Sequence, residues 1–260
     1  GSNLKLIANY GAGYDHIDIK TALQRGIIVT NTPSVLTTDT ADMTMALILA
    51  IPRKLREGHE EMQSGNWKGW SPSAMIGMRI TGKKLGILGM GRIGQAIAKR
   101  AIAFDLDINY HNRRRLHENI EKSLSAKYWE NLEEMLAAVD ILVVSASLNP
   151  SSLYLLNAKY LGKMKHSAYI VNISRGEIID QKALVKQLKN GLLGGAGLDV
   201  YDSEEVIGSD FKSLKNVFLL PHMGSSTLEG RIEMGEKVII NIKTYLDGHR
   251  PPDQIVPSML

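Results

Sequence analysis

Residues 83–115 read KKLGILGMGRIGQAIAKRAIAFDLDINYHNRRR. Residues 85–88 form a short apolar run that suits a buried strand. It meets Gly89-Met90-Gly91-Arg92-Ile93-Gly94, a G-x-G-x-x-G turn. Ile93, Ile97, Ala101 and Phe104 then recur at helical spacing, and residues 107–110 make a second strand. The glycines therefore sit at the strand-to-helix turn of a βαβ unit, the context that gives this motif its meaning. The first glycine permits a tight turn, the second lets the backbone approach a pyrophosphate, and the third allows helix and strand to pack closely. A helix N-terminus placed there presents free N–H groups and partial positive charge to the phosphates. The stretch predicts dinucleotide binding.

The end of the second strand bears on which dinucleotide. A site for NAD places an acid there, to accept from the ribose 2′-OH. Eighteen residues beyond Gly94 stands Asn112, followed by Arg113, Arg114 and Arg115. The missing carboxylate removes repulsion, and a guanidinium offers a planar fork for a 2′-phosphate. NADP(H) is favoured, with NAD(H) still possible.

The 260 residues are enough for two domains or one large one. Hydrophobic residues make up 44% and charged residues 22%, ordinary for a globular protein. The net charge of +4 is spread out, with residues 113–115 the only basic run, so no nucleic-acid surface is expected. The absence of cysteine excludes disulfides and thiolate catalysis. No apolar run reaches the length of about 18 residues that a membrane span needs, and no signal peptide is visible. A soluble, cytoplasmic protein without membrane partners is expected, and no metal site is assigned.

Leu4 to Ala8 already reads as a buried strand, so residues before it are expected to be missing. A loop with Gly11-Ala12-Gly13 follows, then a strand over residues 26–30 and a helix over 37–55 that Pro52 should interrupt. That helix is expected to bury Met43, Ala46, Leu47 and Ala50. Residues 57–81 read as polar and irregular, with Trp67 and Trp70 covering a partner or a pocket. Helices are expected over 132–138, 158–164, 181–190 and 226–246, with strands over 141–144, 168–172, 196–199 and 217–220. Such alternation indicates an α/β, doubly wound parallel sheet.

Three polar residues follow strands of that sheet: Arg175 in Asn172-Ile173-Ser174-Arg175-Gly176, Glu204 after Gly197-Leu198-Asp199-Val200, and His222 after Leu219-Leu220-Pro221. Ligands of open α/β sheets bind at carboxyl strand ends. Reducing a 2-keto acid needs a hydride from the nicotinamide and a proton for the carbonyl oxygen. A histidine can give that proton near neutral pH, a neighbouring carboxylate favours its imidazolium form, and an arginine can hold the substrate carboxylate. His16 is the rival histidine and reads as structural.

With these motifs in place, the chain resembles the D-isomer-specific 2-hydroxyacid dehydrogenases over essentially its whole length, most closely their glyoxylate/hydroxypyruvate reductase branch. The resemblance rests on residues 9–18 (NYGAGYDHID), Thr30-Asn31-Thr32-Pro33, residues 85–98, Asn172 to Gly176, Gly197 to Val200 and Leu220-Pro221-His222-Met223-Gly224. It implies a Rossmann cofactor domain over 36–225 and a smaller, incomplete flavodoxin-like substrate domain over 1–35 and 226–260, with a cleft that closes by a hinge. It implies that Arg175, Glu204 and His222 are catalytic. The family usually has Glu-Pro where this chain has Glu204-Glu205, which makes Asp202 the fallback acid. It carries substrate binding onto Ala12, Gly13, Arg175, His222 and Trp70, with Trp67 as the other candidate tryptophan. It carries cofactor binding onto Thr40, Gly89, Gly91, Arg92, Ile93, Gly94, Asn112, Arg113, Arg114, Ile173, Ser174, Asp199 and Gly224. A homodimer, embraced through residues 57–81, is implied too. The expected reaction is reduction of glyoxylate or hydroxypyruvate by NADPH. Phosphoglycerate-, phosphite- and formate-type dehydrogenases, and a non-enzymatic dinucleotide-sensing regulator, are the rival readings.

Overall fold

The computed structural model describes residues 3–202 and 209–257. The chain divides into two compact units, one of Gly1–Asp39 with Ser225–Leu260, the other Thr40–Gly224.

In the first unit, β1 (Leu6–Ala8) and β2 (Ile28–Thr30) pair in parallel, joined through α1 (Ile19–Gln24). Asp18 caps α1, accepting from the Thr21 amide at 3.0 Å. The expected strand over 26–30 loses its first two positions to a turn, because Gly26 adopts φ 66°. Ile19, Ala22, Val29 and Ile255 make a small core. Ile255 reaches it because the tail is tied down: the buried Asn241 donates to Asp253 at 3.0 Å, and Lys237 pairs with Asp253 at 3.2 Å.

The chain leaves this unit along α2 (Thr37–Ala50). Pro52 does end that helix, and α3 (Leu55–Gln63) starts after Lys54, which adopts φ 54°. The buried face of α2 matches the expected one only at Leu47 and Ala50. Thr40, Ala41, Thr44, Met45, Leu47, Ile48 and Ala50 are buried, Met43 is half-buried and Ala46 is exposed. Threonines are buried at Thr40 and Thr44 while an alanine is exposed at Ala46, so the hydrophobic period of the helix carries little phase.

The second unit is built on β3 (Lys84–Leu88), β4 (Asp107–His111), β5 (Lys127–Tyr128), β6 (Ile141–Val144), β7 (Tyr169–Asn172), β8 (Gly195–Leu198) and β9 (Val217–Leu219). They form one sheet in the order β5-β4-β3-β6-β7-β8-β9, every pair parallel. Runs such as Ile141-Leu142-Val143-Val144 are buried along their whole length, because helices cover both faces. Alternate residues feed two cores. Ile141, Val143 and Val171 pack with α2 and α4 (Arg92–Ile102). Leu142, Val144 and Ile170 pack with α6 (Leu132–Ala138), α7 (Ala158–Leu161) and α8 (Gln181–Lys189). The short α5 (Glu118–Ser123), α9 (Ser209–Lys212) and strand β5 complete the unit, and α10 (Leu228–Leu246) returns the chain to the first. Strand order reverses at β3, the position where α/β sheets of this kind take their ligands. The helices α1, α3 and α5 and strand β5 have no strong sequence signal, since each is short or largely polar. Among the described residues no helix is long and apolar enough to cross a membrane.

Candidate active site

The chain turns sharply after β3. Gly89 adopts φ +99°, and a Cβ there would lie 2.5 Å from the Ala146 amide nitrogen. The Ser145 hydroxyl, past β6, donates to the Gly89 carbonyl at 2.6 Å and locks this approach. A Cβ on the buried Gly94 would lie 2.4 Å from that same carbonyl, so only glycine lets α4 pack this tightly on the turn. Gly91 differs: a Cβ there would meet nothing within 4 Å. Gly91 is also the N-cap of α4 and no side chain caps the helix. The turn thus has two glycines pressed into protein and one that leaves open the space before a helix N-terminus. This cradle fits the pyrophosphate of a dinucleotide. Arg92 is exposed beside it and Ile93 is half-buried.

At the end of β4, Asn112 points back to the glycine turn, its Oδ1 accepting from the Met90 amide at 2.7 Å. The three arginines that follow do not act alike. Arg113 and Arg114 are exposed. Arg115 instead donates through Nε and Nη2 to Glu121 at 2.9 and 2.7 Å. Glu121 is buried and also accepts from the Tyr110 hydroxyl at 2.5 Å. These donors hold the Glu121 carboxyl down to about 2, the Arg115 bond first and the Tyr110 bond second. Burial, then the bond to Glu121, pushes Tyr110 up to about 12. Because the folded carboxyl titrates below its ordinary 4.5, its contribution is complete above that pH and is lost as pH falls toward about 2. Acid titration of stability should show it: between these limits the wild type loses stability more steeply than Glu121→Gln. Parallel losses in the two proteins would rule this out.

On the other side of the switch point, the ends of β7, β8 and β9 are stitched together. Asn172, buried at the end of β7, accepts from the Ser174 amide and hydroxyl, both at 3.1 Å, and donates to the Arg175 carbonyl at 2.9 Å. The half-buried Arg175 is thereby turned out of the strand, its Nη1 donating to the Ser174 carbonyl at 2.8 Å. Gly176 begins a short 3-10 turn so close to the chain after β8 that a Cβ would lie 1.8 Å from the Tyr201 carbonyl carbon. The buried Tyr201 hydroxyl shares its single proton between the carbonyls of Leu220 (2.8 Å) and Leu198 (3.1 Å), linking β8 to the chain after β9. Asp199, 1% exposed, accepts from the amides of Met223 at 2.8 Å and Gly224 at 2.7 Å. Between these anchors His222 is exposed and holds φ 52°, a left-handed conformation uncommon outside glycine. The sequence reading names Asn172 only within a motif and leaves Tyr201 out. The signal for the role of Asn172 is a polar residue closing an apolar strand, and Tyr201 has none.

Of the other candidates, Thr40 is buried on α2 and its methyl lies 3.8 Å from a Cβ built on Gly224. Ile173 is buried and Ser174 half-buried beside Arg175. Ala12 and Gly13 belong to the first unit, in a loop closed by Asn9, whose amide group donates to the carbonyls of Gly11 and Gly13. The Ala12 carbonyl accepts from Asn31 at 2.8 Å. Trp70 is 84% exposed and Trp67 54%. Glu204 lies outside the described residues. The fallback Asp202 accepts from the Tyr154 hydroxyl at 3.1 Å. An open cavity of about 820 Å³ lies beside β5 and the start of α6, lined by His111, Trp129 and Tyr160 among others, and holds none of the predicted site residues.

Residues 45–224 match the model of the D-isomer specific 2-hydroxyacid dehydrogenase, NAD binding domain. The chain belongs to that family. This dehydrogenase is 45% identical over 253 residues to a glyoxylate reductase of Pyrococcus furiosus, covering 96% of this chain and 75% of that one. It is equally similar, 45% over 253 residues, to a glyoxylate reductase of Thermococcus kodakarensis, with the same coverage of 96% and 75%. Its structure superposes with a TM-score of 0.91 on an NADPH-dependent glyoxylate/hydroxypyruvate reductase of Sinorhizobium meliloti in complex with NADP and malonate, at 36% identity, over 98% of this chain and 78% of that one. The family supplies a nicotinamide dinucleotide as cofactor, and the open space at Gly91 is where the dehydrogenase's own backbone suits it.

Proposed function

We propose that this dehydrogenase reduces a small 2-keto acid of the glyoxylate or hydroxypyruvate kind to the D-2-hydroxy acid, with NADPH as the preferred reductant. The observation that carries this reading is the stitching of three neighbouring strand ends, which holds Arg175 and His222 on the same carboxyl edge of the sheet as the glycine turn. The glyoxylate reductases similar to it and the malonate bound to one of them support a small carboxylate substrate.

The nicotinamide, when bound, supplies the hydride. Arg175 binds the substrate carboxylate through its guanidinium and orients the keto group. His222, as imidazolium, gives its proton to the keto oxygen and takes it back in the reverse direction. Glu204 is the acid assigned to work with that histidine. Asp199 fixes the two amides after His222, so the imidazole stands on a backbone that does not yield. The exposed Trp67, Trp70 and Ile76 support a homodimer surface in residues 57–81.

The test is oxidation of NADPH and of NADH by the purified protein with glyoxylate, hydroxypyruvate and pyruvate. Rapid turnover of NADPH with either of the first two is expected. Turnover with NADH alone would remove the cofactor assignment and leave the catalytic set standing. Arg113 and Arg114 give a second check. Each charge-assisted hydrogen bond contributes about 1.5–3 kcal/mol, so Arg113→Ala with Arg114→Ala should raise KM for NADPH by about 100-fold or more. KM for NADH should change less than about twofold, since NADH has no 2′-phosphate to lose contact with.

A further inference from the structure

The turn that carries Arg113 and Arg114 is anchored on both sides. Before the pair, Asn112 is tied to the Met90 amide at 2.7 Å, and its carbonyl accepts from the Tyr128 hydroxyl at 3.3 Å. After the pair, Arg115 grips Glu121 with a two-pronged fork. The Tyr110 hydroxyl closes the turn: it donates to Glu121 at 2.5 Å and accepts from the Leu116 amide at 3.0 Å. Tyr110 is fully buried near the end of β4, and Glu121 sits on α5 with its carboxylate shielded from solvent. The Arg115 guanidinium also stands 5.6 Å from the centre of the Tyr128 ring. Charge is balanced within the brace, because one guanidinium meets one carboxylate. The positive charge left at the tip is that of Arg113 and Arg114.

A pair of long, exposed arginines loses rotamer and backbone freedom when it grips a phosphate. A tip already fixed at both ends loses less, so the brace contributes to affinity without touching the ligand. We infer that Tyr110, Glu121 and Arg115 are positioning residues for cofactor choice, bracing the turn so that Arg113 and Arg114 are held ready for a 2′-phosphorylated ribose. This rests on the NADPH reading above. The depressed carboxyl of Glu121 agrees with it, since the brace then stays charged at every working pH.

The experiment compares Tyr110→Phe and Glu121→Gln with the wild type, measuring Kd for NADPH and for NADH by titration, together with kcat at saturating cofactor. Loss of one anchoring hydrogen bond should raise Kd for NADPH by about tenfold. Kd for NADH and kcat should stay within about twofold, because the glycine turn is untouched. Equal weakening of both cofactors, or no change in either, would overturn the inference. Tighter NADPH binding by Glu121→Gln would overturn it too, by showing that the carboxylate acts through its charge. Should Tyr110→Phe fail to fold, Arg115→Gln serves in its place, since that side chain is 63% exposed. Bracing predicts that Arg115→Gln and Glu121→Gln together weaken NADPH no more than either does alone, whereas direct contact of Arg115 with the phosphate predicts a further loss. Replacing Arg113 and Arg114 by alanine separates the two ideas. If NADPH affinity survives that double change, the NADPH reading has failed and the brace with it. If affinity is lost there but kept in Tyr110→Phe, only the brace has failed.

Discussion

Replacing His222 by asparagine is expected to lower kcat by about 10²- to 10⁴-fold, the range that a positioned general acid contributes. The Tm of the same variant reports separately on the loop. His222 holds φ 52° between a proline and two amides anchored on Asp199. A left-handed conformation costs an ordinary side chain roughly 1–2 kcal/mol, and asparagine is among the residues that visit it most readily. The imidazole is exposed, so its removal opens no cavity. Steady-state kinetics and thermal melting on one preparation check both halves. Turnover near that of the wild type would remove His222 from the proposed chemistry. A large fall in Tm would show that the ring holds the loop, which the anchors at Asp199 do not predict. The joint outcome matters because a chain that accepts strain at one exposed histidine is giving up stability for the placement of that side chain.

The glycine turn yields the second large effect, and its three glycines should fail in different ways. Gly91→Ala should fold normally, since Gly91 has φ −78° and its Cβ would meet nothing within 4 Å. Its methyl would instead fill the space where a phosphate comes against the helix amides. Cofactor affinity is expected to fall by about 100-fold or more, equivalent to two or so phosphate hydrogen bonds. Gly94→Ala should behave in the opposite manner. Its Cβ would lie 2.4 Å from the Gly89 carbonyl oxygen, so α4 must move off the turn. Overpacking of this kind costs about 1–3 kcal/mol, and each kcal/mol shifts Tm by roughly 2–4 °C in a domain of this size. Melting curves with titrations of both variants check the contrast. If Gly91→Ala binds NADPH as the wild type does, the open face of the turn is not the phosphate cradle.

Much of this site was readable before any coordinates. The apolar runs at 85–88 and 141–144 read as strands, the first of them buried, and the glycine spacing placed a turn and a helix after the first. Arg175 and His222 were visible because each follows such a run. Elsewhere the signal failed for stated physical reasons. The face of α2 was only half legible, at Leu47 and Ala50, because the helix buries Thr40 and Thr44 and exposes Ala46. Residues 55–63 form a helix although they are largely polar, and none of them is buried. The basic run Arg113-Arg114-Arg115 looked uniform, yet Arg115 is spent on Glu121, six residues further along and across the start of α5.

The sequence by itself determined the alternation of the main strands and helices of the larger sheet, the glycine turn and the residue types that stand at the strand ends. Those features are local: they depend on hydrophobic period, on the missing Cβ of glycine and on the chemistry of one side chain at a time. The tertiary structure alone decided which polar groups act together. Tyr201 joining β8 to the chain after β9 and Asp199 holding the amides after His222 are pairings between segments that the parallel sheet brings side by side, and the fold of the turn between β4 and α5 lets Tyr110 and Glu121 capture Arg115. A hydrogen bond depends on distance in space, and spacing along the chain does not encode it.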